Sequence, residues 1–360
     1  MIAMSGGVDS SVAAAILKDQ GFECIGSTLR LFDNEDAGID REKTCCSLTD
    51  TEYARSVAAS MGMPYYVFNQ TDRFRQTVIK DFVDNYISGR TPNPCIVCNR
   101  FLKFGVLYQR AMLLGCDYIS TGHYARVERD GDVFLLKKAL DKSKDQSYVL
   151  YFLTQEQLRH TVFPLGGMNK TEVRRIAAEK GFHNAQKPDS QDICFVPDGN
   201  YSDFICRYTG ETFPEGDFVD SAGNVLGRHR GLINYTVGQR KGLGISAEAP
   251  LYVKEIDPEN NSVVLGRAEE MFSRRCIVRD VNWISGIAPE GTLHAKARIR
   301  YHHPEQPASI RQIDTDTALV EFDQSVRAIT PGQAAVFYDG DVVLGGGTIS
   351  DVRPAESAAV

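Results

Sequence analysis

Up to about residue 200 the sequence alternates short apolar runs with segments of helical period; beyond it, glycine-rich turns separate only short β-like runs. The first texture belongs to a parallel sheet with crossover helices, the second to an all-β tail. Three units are expected: an α/β domain over 1–199, a small central linker domain over 200–270, and a barrel or sandwich over 271–354. Within the first unit, Ile2 to Met4 reads as a strand end. Val12, Ala13, Ile16 and Leu17 fall at helical spacing before Gly21. Phe22–Leu31, Tyr65–Phe68 and Tyr118–Ser120 read as strands. Helices are expected over 49–61, over 72–87 with Phe74, Val78, Phe82 and Tyr86 in one stripe, and from about Asn99 to Leu114. Arg90 to Pro94, with prolines at 92 and 94, reads as a stiff non-helical loop. Thr154 and Asn169 open helix-start boxes. The tail runs are 250–255, 262–266, 276–283, 294–301, 317–322 and 334–345, and Ala355–Val360 reads as frayed.

Composition narrows the class. Hydrophobic residues at 42% and charged residues at 24% allow a buried core and exclude wholesale disorder. Forty basic against 47 acidic residues give a net charge of −7, which excludes a polycation but not a local basic patch. No apolar run approaches the ~18 residues of a membrane span. The start lacks the apolar core of a signal peptide. Nine cysteines, an odd number scattered over a long chain, do not form the plan of a secreted disulfide scaffold. A cytoplasmic protein with reduced thiols is expected, and Asp33 to Asp36 is read as a solvated loop.

Ser5-Gly6-Gly7-Val8-Asp9-Ser10-Ser11 sits between a strand end and a helix start. Two glycines let the backbone turn sharply and approach an anion, and exposed N–H groups with the helix dipole favour phosphate. A Gly-Lys-Ser/Thr ending is missing, so this is not the Walker loop, nor is it a dinucleotide Gly-x-Gly-x-x-Gly turn. A plain glycine turn with Ser10 as helix cap would explain any one Gly-Gly-x-Asp. The full string at a strand–helix junction favours phosphate.

Cys95 and Cys98 stand three apart before the expected helix, whose N-terminus would lower a thiol pKa, Cys98 gaining most. Zinc, redox exchange and iron–sulfur ligation are all open to a C-x-x-C. No second C-x-x-C exists, and Cys45-Cys46 are adjacent, which suits zinc poorly. Cys194 lies in a polar loop after Lys187-Pro188. Cys24, Cys116, Cys206 and Cys276 read as small buried hydrophobes. For RNA, residues 221–247 carry Arg228, Arg230, Arg240 and Lys241. His294, Lys296, Arg298, Arg300 and His302 alternate with apolar residues, so a strand would put all five on one face about 7 Å apart. A solvated basic face explains the pattern equally well.

Ser5 to Ser11 resembles the pyrophosphate loop of the ATP pyrophosphatase superfamily. With Gly89-Arg90-Thr91-Pro92-Asn93-Pro94, Cys98-Asn99, Lys103-Phe104, Thr121-Gly122-His123-Tyr124, Lys144 to Tyr148, Asp189-Ser190, Ile193-Cys194-Phe195, Gly238 to Gly244 and Pro331-Gly332-Gln333, nearly the whole chain resembles the tRNA-specific 2-thiouridylase family. That resemblance implies an adenine nucleotide α-hydrolase-like catalytic domain and a tRNA-binding C-terminal β-barrel. It implies a cytoplasmic sulfurtransferase that thiolates C2 of the wobble uridine of tRNAs of the Lys, Glu and Gln type.

By the same resemblance ATP, with Mg2+, lies over Ala3, Met4, Ser5, Gly6, Gly7, Val8, Asp9 and Ser10, near Leu29 and Gly122. Cys194 carries a persulfide from a sulfur donor and Cys98 is the nucleophile that closes a disulfide with it. Asn93, Pro94, Cys95, Lys144, Asp145 and Gln146 are implied near the flipped base; Arg300, Tyr301 and Gln333 near the anticodon arm; His123 as an RNA or nucleotide contact. The chain departs from the family pattern in two ways. Cys95 stands where many members have an aspartate, so a carboxylate role does not carry over, and Cys95, Cys98 and Cys194 become candidate ligands of an iron–sulfur cluster. Persulfide chemistry is preferred. Only Met1 to Met4 precede the loop, an edge expected to be trimmed or its start misassigned. The rivals are an adenylating synthetase for a small molecule, which would not need Cys98 and Cys194, and a tRNA-binding or cluster-carrying protein without adenylation.

Overall fold

The computed structural model describes residues 1–32, 48–187 and 193–353; Asp33 to Asp36, Cys45, Cys46, Asp189, Ser190 and the last residues from 354 lie outside them. The N-terminal sheet is built on β1 (Ile2–Ala3), flanked in parallel by β2 (Gly26–Arg30) and β4 (Ile119–Thr121). β3 (Tyr65–Asn69) continues one side and β7 (Thr161–Val162) the other, giving the order β3-β2-β1-β4-β7. The chain therefore moves outward from β1 through β2 and β3, then crosses back to β4. That reversal between β1 and β4 opens a crevice at the carboxyl ends of the strands.

α1 (Val8–Asp19) is covered by this sheet and by the helices Leu48–Ser60 and Lys170–Glu179, so Val12, Ala13, Ala14 and Ala15, which point to different sides, are all fully or almost fully buried. Small side chains allow that close approach. The stripe of Phe74, Val78, Phe82 and Tyr86 is buried as its spacing requires. The helix carrying it runs from Thr71–Phe74 through a π-helical stretch at Arg75–Ile79 into Lys80–Ile87. Both helix-start boxes are formed: Thr154 and Asn169 accept from the backbone N–H three residues on, and Gln157 and Glu172 reach back.

The central unit is a four-stranded sheet of β8 (Gly216–Val219), β9 (Val225–His229), β10 (Tyr252–Asp257) and β11 (Ser262–Gly266), in the order β10-β11-β8-β9. The C-terminal unit is a barrel, not a sandwich. β12 (Phe272–Trp283), β15 (Ala318–Arg327), β14 (Gln306–Gln312), β13 (Thr292–Arg298), β16 (Ala334–Asp339) and β17 (Val342–Arg353) pair in that order, and β12 closes on β17. Val278, Ile310, Val320, Phe322 and Phe337 fill it. A hairpin from the N-terminal half, β5 (Ala125–Asp130) and β6 (Val133–Lys138), adds to the barrel sheet, with Val342 opposite Lys137 and Val343 opposite Leu136. The fold is thus an α/β N-terminal domain, a small central β unit and a C-terminal β-barrel. Among the described residues no helix is long and apolar enough to cross a membrane.

Candidate nucleotide and thiol site

The segment between β1 and α1 leaves a helix N-terminus uncapped. Gly7 is the N-cap, extended at φ −83°, and among the described residues no side chain caps the first N–H groups. Those donors are available to an anion. Ser10 does not cap the helix; its Oγ donates to the Gly7 carbonyl and accepts from the Ser5 N–H at 3.2 Å. Gly6 has φ +73°, and a Cβ there would lie 2.3 Å from the Asp50 carbonyl oxygen. A Cβ on Gly122, just past β4, would lie 2.7 Å from the Ser10 nitrogen. Both glycines are therefore required by close backbone approach. Ala3 and Met4 end β1, and Leu29, buried, lies near the end of β2. The residues assigned to the nucleotide thus gather at the carboxyl ends of β1, β2 and β4, at the crevice.

Three neighbours join the cradle that are not among the expected site residues, Tyr124 appearing only within a family motif. The Tyr124 hydroxyl donates to Asp9 at 2.8 Å, and Lys170 Nζ bonds both Asp9 oxygens at 2.7 and 2.8 Å. Asn184, 2% exposed, donates from Nδ2 to the Gly6 carbonyl and to Ser11 Oγ. Its Oδ1 meets no hydrogen-bond partner among the described residues. Lys170 was visible only as part of a capping box, and Asn184 carried no local signal. A cradle with bare N–H groups, close-packed glycines and an unmatched buried acceptor fits a phosphate chain with its accompanying water or cation.

The thiol helix differs from the sequence expectation. It begins at Pro94, not near Asn99, because Pro94 takes the first helical position and Asn93 caps it, accepting from the Cys95 N–H at 3.1 Å. Proline is tolerated there, since its missing N–H would have no intrahelical partner. Cys95 rather than Cys98 is consequently nearest the helix start, and Cys95 is exposed. Cys98 keeps some exposed surface but is densely surrounded, and burial pushes its thiol up to about 11; Lys103 pulls the other way and Cys95 adds to the rise. This reverses the lowered pKa expected for Cys98. The helix continues through a π-helical stretch at Asn99–Leu107 into Tyr108–Leu113.

Cys194 and Cys98 flank the same apolar cluster, which Phe195 enters by packing edge-on against Phe74 and Phe82 at 5.6 and 5.3 Å. Neither forms a disulfide. Among the described residues no three His, Cys, Asp or Glu side chains are placed to hold a metal, so Cys95, Cys98 and Cys194 are not gathered as a ligand set. Cys24 and Cys276 are buried as expected; Cys116 and Cys206 are only partly so.

His123 is 7% exposed, its Nδ1 2.7 Å from Thr121 Oγ1 and its ring between Phe104 and Phe163 at 6.2 and 6.1 Å. Burial, reinforced by the Lys103 charge, holds its imidazole well below the usual histidine range. It is a neutral core histidine with little surface to offer RNA.

The five-residue basic face also breaks. The strand ends at Arg298, so His294 and Lys296 stay exposed while Arg298 and Arg300 turn inward. Arg300 bonds the Val237 carbonyl at 3.0 Å and Thr330 Oγ1. Arg298 Nη1 lies 3.5 Å from Asp145 Oδ2. Asp145 is buried and also accepts from the Ala139 and Ser147 N–H groups and from the Ser147 hydroxyl. Gln146 Oε1 accepts from the Tyr124 N–H, while Lys144 is partly exposed. The Tyr301 hydroxyl donates to the Asp145 carbonyl at 3.1 Å. Burial pushes that hydroxyl up to about 12, with Asp145 and Cys95 adding to the rise and Arg298 opposing it. Gln333 Nε2 donates to the Thr91 carbonyl at 2.8 Å. These barrel residues and the 144–146 loop meet beside the thiol helix, with much of their hydrogen bonding turned inward.

Comparison with known proteins agrees with this architecture. Residues 1–198 match the family model described as tRNA methyl transferase HUP domain, residues 202–267 the tRNA methyl transferase PRC-barrel domain, and residues 273–349 the aminomethyltransferase beta-barrel domain. A nucleotide-binding α/β domain joined to two β modules is the class that fold and cradle define. Within it, the tRNA-specific 2-thiouridylase MnmA of Clostridioides difficile is 49% identical, with 97% of each chain covered. That of Acetivibrio thermocellus is 51% identical, covering 97% of this chain and 98% of its own. The chain belongs to the tRNA-specific 2-thiouridylase family. A solved NMN synthetase from Francisella tularensis aligns over 59% of this chain and 77% of its own with TM-score 0.30 and 15% identity, a likeness too slight to carry an argument.

Proposed function

We propose that this chain is an ATP-dependent sulfurtransferase that converts the wobble uridine of tRNAs of the Lys, Glu and Gln type to 2-thiouridine. The observation that supports it best is a series of residues linking the thiol helix to the cradle. Lys103 acts on both Cys98 and His123; His123 follows Gly122; Gly122 packs against the Ser10 backbone at the cradle. These links support a reading in which the Cys98 thiol and the nucleotide cradle serve one reaction.

The cradle binds ATP through Ser5 to Ser10; the Asp9 carboxylate, held by Lys170 and Tyr124, would be the nearest candidate to hold a magnesium ion, which would screen the phosphate charge. The uridine C2 oxygen attacks the α-phosphorus and pyrophosphate leaves. The terminal sulfur of a Cys194 persulfide, delivered by a donor protein, attacks C2 and expels AMP with the former carbonyl oxygen. Cys98 then attacks the inner sulfur, forming a Cys98–Cys194 disulfide and releasing the thiocarbonyl; an external thiol reduces the disulfide. Since burial raises the Cys98 pKa, Lys103 and the arriving substrate must favour its thiolate.

The test is anaerobic incubation with ATP, magnesium, a persulfide source and unmodified tRNA, followed by nucleoside analysis. Formation of 2-thiouridine and AMP, lost in Cys98→Ser and Cys194→Ser, is expected. Normal turnover in either variant refutes the assignment, and stoichiometric iron in the active protein would replace the persulfide scheme with a cluster.

A further inference from the structure

The loop Ser5 to Ser11, read above as an anion cradle, contains no lysine of its own. We propose that Lys170 supplies that cation, gripping the polyphosphate of ATP; this rests on the ATP reading above and adds a residue to the same site.

The helix Lys170–Glu179 and α1 run side by side and are tied by two ion pairs. Lys180 Nζ meets Asp19 at 2.7 Å at their carboxyl ends, and Lys170 Nζ meets Asp9 at 2.7 Å at their amino ends. The first pair places lysine where a helix dipole favours a cation. The second does the opposite, setting an ammonium at the first position of one helix and beside the uncapped start of another, where positive charge is unfavourable. A strut between helices would not need that sign. An anion in the cradle reverses the balance, because both helix ends and the ammonium then face negative charge.

The surroundings fit such a role. Lys170 is 13% exposed, and its ammonium lies 5.8 Å above the Tyr124 ring, whose hydroxyl bonds the same Asp9. Asp9 parks the lysine at the mouth of the loop while Asp141 accepts the Lys170 backbone N–H at 3.2 Å, fixing its helix start. Buried Asn184 Oδ1 meets no partner among the described residues, a second sign that the cradle is completed by a ligand.

The experiment is a titration of the whole protein with ATP, adenosine and inorganic pyrophosphate, in wild type, Lys170→Met, Lys170→Arg and Lys180→Met. Losing a charge-assisted contact should weaken ATP and pyrophosphate binding on the order of ten- to a hundredfold in Lys170→Met. Adenosine binding should be unchanged, Lys170→Arg should recover part of the loss, and Lys180→Met should bind ATP as wild type. In wild type, ATP but not adenosine should shield Lys170 from acetic anhydride, read by mass spectrometry, which tests the contact even if Lys170→Met folds poorly. ATP affinity in Lys170→Met within twofold of wild type, an equal loss in Lys180→Met, or no protection of Lys170 overturns the proposal. Failure of wild type to bind ATP at all would instead refute the ATP reading.

Discussion

The Cys98 thiol is the group whose chemistry the structure constrains most sharply. Burial raises it from an ordinary value of 9.0 to about 11. At neutral pH a two-unit rise lowers the thiolate fraction about a hundredfold, and it represents about 2.7 kcal/mol between the two protonation states. The unfolded chain releases this proton first. Its contribution to stability is therefore complete below pH 9 and is lost as pH climbs from 9 towards 11. The assay is iodoacetamide labelling of the Cys98 peptide between pH 7 and 10.5, native against urea-unfolded. In the native protein the logarithm of the rate should rise by one per pH unit through pH 10 without levelling. Restricted access alone would depress the whole curve and leave its inflection in place. Lys103→Met removes the opposing charge and should push the inflection higher still. A native curve that levels off by pH 9.5 would refute the inference that the thiol rests protonated.

Two further outcomes follow from close packing and from charge burial. Gly122→Ala forces a Cβ to 2.7 Å from the Ser10 nitrogen, so the melting temperature should fall by an amount equivalent to about 1–3 kcal/mol and ATP titration should show weaker binding. Arg298→Met leaves buried Asp145 without its cation; Asp145 retains the Ala139 and Ser147 donors, so the cost in denaturant unfolding should be about 3 kcal/mol, the lower end for a broken buried pair.

What could be read from sequence was whatever local periodicity and capping determine. The stripe Phe74, Val78, Phe82, Tyr86 and both helix-start boxes are formed as expected. The expected strand 22–31 shrinks to Gly26–Arg30, and the run 334–345 is two strands turning at Gly340. Asn93-Pro94 contained a legible start signal, cap then proline, but two nearby prolines made a loop the simpler reading. The hairpin Ala125–Lys138 closes on itself around Asp130-Gly131-Asp132, a local turn signal that the expectations omit; its docking on β17, some 200 residues away, is the part that periodicity carries no record of. The same limit applied to the site. The cradle is contiguous and was readable, whereas Lys170 and Asn184 reach it from elements about 160 to 180 residues further on. Burial overturns the lowered pKa expected for Cys98, since desolvation depends on the packed surroundings and outweighs the helix-end and neighbouring-charge effects that local sequence suggests.

The barrel is attached to the catalytic half as part of one sheet, and this bears on how a tRNA bound at one end could address a thiol at the other. β6 pairs with β17, Asn282 Nδ2 donates to the Tyr151 and Leu153 carbonyls, and Gln155 Nε2 donates to the carbonyls of Phe134 and Ile284. Hydrogen bonds of this kind, partly buried and distributed along a shared sheet, resist hinge motion more than a linker would. On that frame Gln333 holds Thr91 and the Thr91 N–H bonds the Pro331 carbonyl, while a Cβ on Gly332 would come within 3 Å of the Thr91 backbone. The stretch Thr91 to Asn93, which sets where the Cys95–Cys98 helix begins, is thus clamped by the barrel. On the proposed reading, Gln333→Ala, which frees the Thr91 carbonyl, should lower 2-thiouridine formation while leaving ATP affinity unchanged; equal loss of both would refute a positioning role for the clamp.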